Sequence, residues 1–413
     1  MLDRTDARSY PAVMAETSAD TQLDAHEAAG TQPDLRVILD AQRQTCPVVR
    51  TPDGGVMLLA HADVRAAALD AGTFSSAVSA HRALPNSLDG GEHRAYRRLI
   101  DAYLTQDEVA AQEPQCRAHA AAIVGALPRG VTVRTVLDIG TPFAVRTQST
   151  WLGWPAEIEG ELVDWVADNR EATRSGDRTR MAEVAESFDA IITRLLDARR
   201  DGDSDDVTAR LMRDRVEGRQ LEHAEIVSIL RNWTAGDLGS LAASVGVIVH
   251  HLATDVALQS HLRQLVAGDR VREFEDAMEE ILRIDDPFVS NRRVTTRDTV
   301  VRGERLPAGT RVVLNWTAAN RDPEAFAGPE AFNPDDHAEA NLVFGIGPHV
   351  CPGRALTLME LRVIIWELLA QTTRIVMSHE RGPVRELPPV SGWAKVPIVL
   401  DPAGLRTAPD SKG

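Results

Sequence analysis

The sequence has few of the residues that mark secreted or membrane-spanning proteins. Its three cysteines, Cys46, Cys116 and Cys351, form an odd, sparse set without a Cys-x-x-Cys spacing. A disulfide framework is therefore not expected, and a reducing cytoplasm is. No uncharged apolar run approaches about 18 residues. Residues 1–32 are polar and contain no apolar signal segment, so we expect no secretion and no membrane anchor.

Positive charge is also scarce. Lys+Arg number 45 against 61 for Asp+Glu, which gives a formal net charge of −16. A nucleic-acid-binding protein would show a basic footprint, so this class is not favoured. Nearly every cation is an arginine, because Lys395 and Lys412 are the only lysines. Together with the abundance of alanine, this indicates a GC-rich bacterial genome.

The 413 residues predict one large, mainly helical domain. Residues 1–32 are acidic and poor in aromatics, which predicts a loosely ordered leader before a domain spanning 33–413. Most of 93–285 has helical patterning. The longest helix is expected at 221–252, and it must be buried on most faces because 238–249 carry no charge. Short strands are expected within 48–59, 293–316 and the last forty residues.

The segment around Cys351 is a glycine-rich loop that leads into a helix. Glycines allow a backbone to approach a flat, bulky group, and a helix N-terminus favours a thiolate. A lone cysteine after a tight turn is more often simply buried. The complete spacing Phe-x-x-Gly-x-x-x-Cys-x-Gly, made by Phe344, Gly347, Cys351 and Gly353, argues for the first interpretation.

This spacing resembles the haem-binding loop of the cytochrome P-450 family. The resemblance extends over about residues 35–405 and implies a mainly α fold with a small β-sheet region and a long central helix over the haem. It implies heme b as the cofactor, with the Cys351 thiolate as the axial iron ligand. Phe344, Gly347 and Gly353 would belong to the cofactor-binding loop.

Two further sets of residues resemble family features. His93 and Arg97 share one helix face at i,i+4 and, with Arg293 and His349, would bind the haem propionates. The exposed basic face that we expect at Arg94 and Arg98 would suit an acidic redox partner.

A charged pair resembles the Glu-x-x-Arg pair that attaches a helix to an irregular segment before the haem loop. This pair is Glu280 and Arg283, which alone would mean little, because any helix can carry such a pair. The arginine that usually follows Phe-Asn-Pro in the family is missing, and His337 is expected to complete the network instead.

The central helix departs from the family pattern. The usual acid and alcohol positions, which deliver protons on the oxygen side of the haem, hold Leu238 and Gly239. Asp237 and Ser240 lie one residue to either side. Either a helix bulge rotates Asp237 and Ser240 into proton-relay roles, or water and substrate carry the protons while Asp237 is a structural buried acid. Gly239 would leave room for a substrate close to the metal.

The resemblance implies a haem-thiolate monooxygenase that uses O₂ and receives NAD(P)H electrons indirectly, from ferredoxin or flavodoxin and its reductase. Part of the central helix is similar to bacterial members acting on small aromatic ethers, so hydroxylation or oxidative O-demethylation is expected. A peroxygenase or rearrangement catalyst that bypasses O₂, and a non-catalytic haem gas sensor, stay open. The candidate substrate contacts, each equally explained by packing, are Phe74, Ala235, Phe288, Val289, Ser290 and Trp393.

Overall fold

Helices form most of the protein and short strands form the rest, which confirms the expected fold class. The computed structural model describes residues 34–79, 82–200, 202–387 and 391–402. The expected leader at 1–32 lies outside the described residues. In chain order the helices are α1 (Leu35–Thr45), α2 (His61–Leu69), α3 (Gly90–Asp101), α4 (Gln106–Ala126), α5 (Thr141–Leu152), α6 (Glu159–Ser175), α7 (Arg178–Asp197), α8 (Val207–Arg213), α9 (His223–Thr254), α10 (Val256–Ala267), α11 (Val271–Ile284), α12 (Trp316–Ala319), α13 (Pro334–His337) and α14 (Arg354–Ala370).

The strands form several small sheets beside the helical core. They are β1 (Val48–Arg50), β2 (Val56–Leu58), β3 (Phe74–Ser75), β4 (Thr132–Arg134), β5 (Arg215–Val216), β6 (Arg219–Gln220), β7 (Ser290–Thr295), β8 (Thr299–Val301), β9 (Glu304–Leu306), β10 (Arg311–Asn315), β11 (Ile375–Met377), β12 (Val384–Arg385), β13 (Trp393–Lys395) and β14 (Pro397–Leu400). The largest sheet has the order β1-β2-β10-β7-β3, and β11-β14-β4 form a second. The expected turn at 53–55 joins β1 and β2 as an antiparallel hairpin.

The long central helix α9 begins two residues later than expected. Its position follows from the capping of its first turn and from its uncharged, buried middle. Glu222 and Glu225 cap its first turn reciprocally, each side chain accepting a hydrogen bond from the other residue's backbone N–H. The uncharged stretch 238–249 lies mostly in the core. Gly140 lets a π turn pack on this helix, because a Cβ there would lie 2.8 Å from the Ala242 carbonyl oxygen.

Helix α14, which follows the cysteine loop, packs along α4 and also contacts α9 and α11. The loop is therefore supported by the central helical core. Within the described residues, no single helix combines the length and apolar composition needed to cross a membrane. Helices α9 and α10 reach that composition only as a pair, and they are bent by 112° with respect to each other.

Candidate active site

The cysteine loop folds back on itself just before α14. The N–H of Cys351 donates to the Phe344 carbonyl oxygen over 2.9 Å. Gly347 has a φ of +79°, and a Cβ there would lie 2.9 Å from the Ala68 carbonyl oxygen. Both the backbone conformation and this close approach require glycine. The spacing seen in the sequence is therefore a packing requirement of the loop.

Burial raises the pKa of the Cys351 thiol, and the negative charge of Asp237 raises it further. Backbone N–H groups of Gly353 and Arg354 at the start of α14 donate to the sulfur, and the positive charge of Arg97 also favours the thiolate. The N–H donors at the start of α14 favour the thiolate of Cys351, as expected, while desolvation opposes it in the protein alone. A bound metal cation would supply the missing stabilisation.

Open backbone surface lies inside the fold on both α9 and the cysteine loop. Gly236 is exposed although the adjacent turn residues Thr234 and Leu238 are buried. A Cβ at Gly239 would meet nothing within 4 Å. None of residues 343–353 is buried, even though they precede a helix that packs in the core. Internal glycines with uncovered surface indicate a space that accommodates a bulky group.

Two histidines meet at one edge of this loop. The His93 ring on α3 lies 4.2 Å from the His349 ring, centroid to centroid. His349 Nε2 also lies 3.1 Å from Ser76 Oγ and 3.2 Å from Asp89 Oδ1. Burial, together with the nearby His93 and Arg293, lowers the pKa of His349 to about 4. Both predicted histidines thus face the same small polar cluster.

Two arginines complete this cluster. Arg97 Nη1 donates to the carbonyl oxygens of Pro348 and Val350, at 3.1 and 2.8 Å, and so supports the cysteine loop directly. Arg293 on β7 is buried, and burial lowers its pKa while the charge of Asp89 opposes that shift. The structure therefore brings together the four residues predicted to bind propionates.

Asp89 belongs to the same cluster and was missed by the sequence reasoning. Its carboxylate accepts hydrogen bonds from Ser75 Oγ at 2.5 Å and from the Ser76 N–H at 3.0 Å. The signal that could have found it is its position just before α3, the helix of His93. This acid compensates part of the positive charge of Arg293.

The carboxyl of Asp237 is buried on the central helix. Helix α9 is a continuous α-helix, so this structure contains no bulge at Asp237. Asp237 Oδ2 has no hydrogen-bond partner in the described part of the chain, and burial raises the pKa of Asp237 to about 7. Burial raises the pKa of Glu360 on α14, and the charge of Asp237 raises it further; the sequence reasoning did not identify this buried acid. Ser240 Oγ donates to the Gly236 carbonyl oxygen at 2.6 Å.

The expected charged network before the loop is present and fully buried. Arg283 donates to both carboxylate oxygens of Glu280, at 2.7 and 2.9 Å. Arg283 also donates to the carbonyl oxygens of Asn320 and Pro329, at 2.6 and 2.9 Å. His337 Nδ1 lies 2.7 Å from Glu280 Oε1, so it occupies the place expected for it. This network attaches α11 to the irregular segment that leads to the cysteine loop.

Comparison with known proteins agrees with this arrangement. The family model described as Cytochrome P450 matches residues 182–397, which is more than half of the chain. The chain belongs to the cytochrome P450 family. Among its relatives, erythromycin C-12 hydroxylase of Saccharopolyspora erythraea is 26% identical over 395 residues, covering 90% of this chain and 95% of the relative.

Other similar P450s carry different reaction names. Cyclomarin C epoxidase CymV of Salinispora arenicola is 29% identical over 314 residues, covering 74% of this chain and 78% of the relative. The solved structure of open cytochrome P450 EryK from S. erythraea has a TM-score of 0.79 at 25% identity, covering 93% of this chain and 98% of that one. This P450 is accordingly an oxidoreductase of the monooxygenase class.

The residues present fit the haem that P450 membership implies. A free thiol with N–H donors faces partly uncovered backbone, and the central helix presents glycines rather than side chains. The cluster of two histidines and two arginines, which also contains Asp89 and has Arg97 paired with the exposed Asp101, offers cationic and N–H donors for the two carboxylates of a haem. This chemistry matches a flat, anionic, metal-containing cofactor.

The predicted substrate contacts lie in different environments. Phe74 is packed among the buried side chains of the largest sheet. Phe288 is 49% exposed, while Val289 is buried. The Trp393 ring stacks on His250 at 3.8 Å, so it is anchored against the central helix.

The other two candidates, Ala235 and Ser290, are half-buried. Ala235 lies on α9 beside Gly236, and Ser290 begins β7. A role in substrate binding stays a prediction for all six residues.

Proposed function

We propose that this P450 uses O₂ to insert one oxygen atom into a small organic substrate, by hydroxylation or by oxidative O-demethylation of a small aromatic ether. The observation that carries this proposal is the side-chain-free surface of α9 at Gly236 and Gly239. With no side chain there, a compact substrate has room to approach the reaction centre closely.

In this proposal the chain holds heme b through Cys351. His93, Arg97, Arg293 and His349 bind its propionates, and Phe344, Gly347 and Gly353 shape the loop around it. When bound, the haem supplies the redox chemistry of oxygen insertion, and its thiolate ligand favours O–O cleavage. Glu280 and Arg283 keep the loop in register with the core. The surrounding buried helices exclude bulk water from the substrate.

Asp237 and Ser240 are the chain's own candidates for moving protons to the oxygen side. Asp237 has a free carboxylate oxygen and a pKa raised by burial to about 7, so it can both accept and release a proton near neutral pH. Ser240 Oγ donates to the carbonyl oxygens of Gly236 and Asp237, at 2.6 and 3.3 Å, on the same turn of helix.

Electrons are proposed to come from NAD(P)H through a separate reductase and a ferredoxin or flavodoxin, in the cytoplasm. Arg94 and Arg98 support this, since both are exposed on α3 beside Arg97, which contacts the cysteine loop. A basic surface on a chain with net charge −16 is suited to an acidic partner.

A second candidate is a P450 that works without O₂, as a peroxygenase or a rearrangement catalyst. It is favoured by the continuous helix α9, which leaves Leu238 and Gly239 at the usual acid and alcohol positions. Such a reaction needs no delivered protons to cleave O₂.

One set of measurements tests these alternatives on the haem-loaded protein. The reduced CO complex should show the long-wavelength Soret band of a haem-thiolate. Type I spectral shifts against a panel of small aromatics, terpenes and fatty acids identify substrates. Product formed with NADH, reductase and ferredoxin supports the monooxygenase, whereas product formed only with peroxide supports the second candidate. Ligand binding without any product or NADH oxidation would favour a gas sensor.

A further inference from the structure

Two arginines on α6 face a single acid on the hairpin formed by β12 and β13. Arg170 and Arg174 lie on the same face of the helix, at i,i+4. Arg174 donates from Nε and Nη2 to the two carboxylate oxygens of Glu386, each over 2.9 Å. Arg170 lies further away, with its Nε 3.9 Å from Glu386 Oε1. Both arginines therefore lie against the same carboxylate, and Arg170 lies further from it than Arg174.

Arg170 is the unsatisfied member of this group. Its side chain is 14% exposed, yet its guanidinium makes no hydrogen bond to any described residue. A guanidinium has five N–H donors, and buried donors normally have acceptors. Burial lowers the pKa of Arg170, and the charge of Arg174 lowers it further, although Glu386 opposes this shift. An additional anion would satisfy both the charge and the donors.

The hairpin connects Arg170 to the segment predicted to contact substrate. The Glu386 N–H donates to the Gly392 carbonyl oxygen over 3.2 Å. A Cβ at Gly392 would lie 3.3 Å from both Pro287 Cβ and Val247 Cγ2, so the hairpin packs directly on that segment and on α9. Phe288, which follows Pro287 in the chain, is 49% exposed and offers an apolar surface.

We propose that Arg170 forms an anion-binding subsite that receives the carboxylate of a small, otherwise apolar organic acid, whose body extends past Phe288 toward the open surface of α9. This inference rests on the proposed function, because it names the class of substrate that the same enzyme takes. A carboxylate matches the planar fork of a guanidinium. Its single negative charge would pair with the one guanidinium of Arg170.

The test compares each acid with its primary amide, which has nearly the same shape but no charge. The haem-loaded protein is titrated with para-methoxybenzoate and para-methoxybenzamide, and with straight-chain acids and their amides. Dissociation constants come from spectral shifts and, independently, from thermal stabilisation of the protein. We expect at least one acid to bind about tenfold or more tightly than its amide, as for a charge-assisted hydrogen bond. No acid preference in any pair would overturn the inference.

Variants separate this role from a structural one. Arg170→Met should weaken acid binding about 10- to 100-fold, leave amide binding unchanged and not lower Tm, because the present ion pair is long. Glu386→Gln should instead tighten acid binding, since it removes the competing carboxylate. Arg65→Met changes an exposed arginine of α2 and serves as the matched control. An acid preference that survives in Arg170→Met would contradict the assignment.

The failure of this inference differs from the failure of the proposed function. Equal binding of acids and amides, with a normal haem-thiolate spectrum and turnover of neutral substrates, would remove only the anion subsite. A chain that shows no haem-thiolate spectrum, or no oxygen insertion into any substrate, would remove the proposed function. Acid-dependent thermal stabilisation that is lost in Arg170→Met would still support the subsite in that case.

Discussion

Replacing Asp237 by asparagine should flatten the dependence of stability on pH. Burial raises the pKa of this carboxyl from 3.8 to about 7, so between these values the folded chain binds more protons than the unfolded chain. Stability therefore falls as pH rises through this window, and asparagine removes the effect. A shift of about 3 pKa units, at about 1.36 kcal/mol per unit, sets a ceiling of about 4 kcal/mol. Asp237 and Glu360 share the free-energy cost of ionising buried acids. We therefore expect the pH-dependent change in unfolding free energy to differ between wild type and variant by about 2 kcal/mol.

The assay is urea unfolding of the haem-loaded protein at about pH 4.5 and about pH 8, because these values lie on the two sides of the window. The readout is the change in unfolding free energy between the two pH values, since any cost of an unpaired amide is the same at both. Asp168→Asn, at an exposed acid on α6, is the control. If the stability of Asp237→Asn falls as steeply as that of wild type when the pH rises from about 4.5 to about 8, the raised pKa of Asp237 is refuted.

The same variant tests the proton relay. If Asp237 relays protons, Asp237→Asn should bind haem and substrate normally but lose more than tenfold in turnover, with a solvent deuterium isotope effect, since general acid catalysis contributes about 10²–10⁴-fold. A relay through Ser240 as well predicts non-additive losses in the double variant with Ser240→Ala. Small, additive losses would instead leave ordered water and substrate as the proton route.

Four other variants give direct readouts. Cys351→His should abolish the long-wavelength Soret band of the reduced CO complex, and persistence of the band would disprove axial ligation. Arg97→Ala combined with Arg293→Ala should weaken haem retention sharply after gel filtration, whereas each single loss, about 1.5–3 kcal/mol, should not empty the site. Glu280→Gln should destabilise the protein by about 3–5 kcal/mol in urea unfolding, because it leaves a buried guanidinium uncompensated. Gly239→Thr should fill the space on α9 and weaken type I substrate shifts; unchanged shifts would show that this space is not used.

Features set by local spacing could be predicted from the sequence. Reciprocal capping and an uncharged stretch determine α9, so its bounds differ from the expected ones by only two residues. Gly347 of the cysteine loop has a positive φ and packs closely against another backbone segment. Only glycine satisfies both conditions, so the motif in the sequence indicates this position. His337 could be expected to join Glu280 because a missing arginine left that network incomplete.

Features that depend on which distant helices meet could not be predicted in this way. Glu360 and Arg170 are ordinary charged residues in the sequence, and no local pattern separates them from solvated ones. Asp89 is marked only by its position just before α3. The partners of Asp89 and Arg170, which are His349 and Glu386, lie on elements more than 200 residues away in the sequence.

The sequence by itself determined the family, the haem loop and the helical core, because these depend on spacing along one segment of backbone. Only the tertiary structure decided the ionisation of the site. The helix terminus at Cys351 favours a thiolate, but burial by surrounding helices reverses that preference. Likewise Asp237 would be an ordinary acid on an exposed helix, and it is the absence of water around it that raises its pKa. Desolvation is a property of the whole packed fold, so no local pattern encodes it.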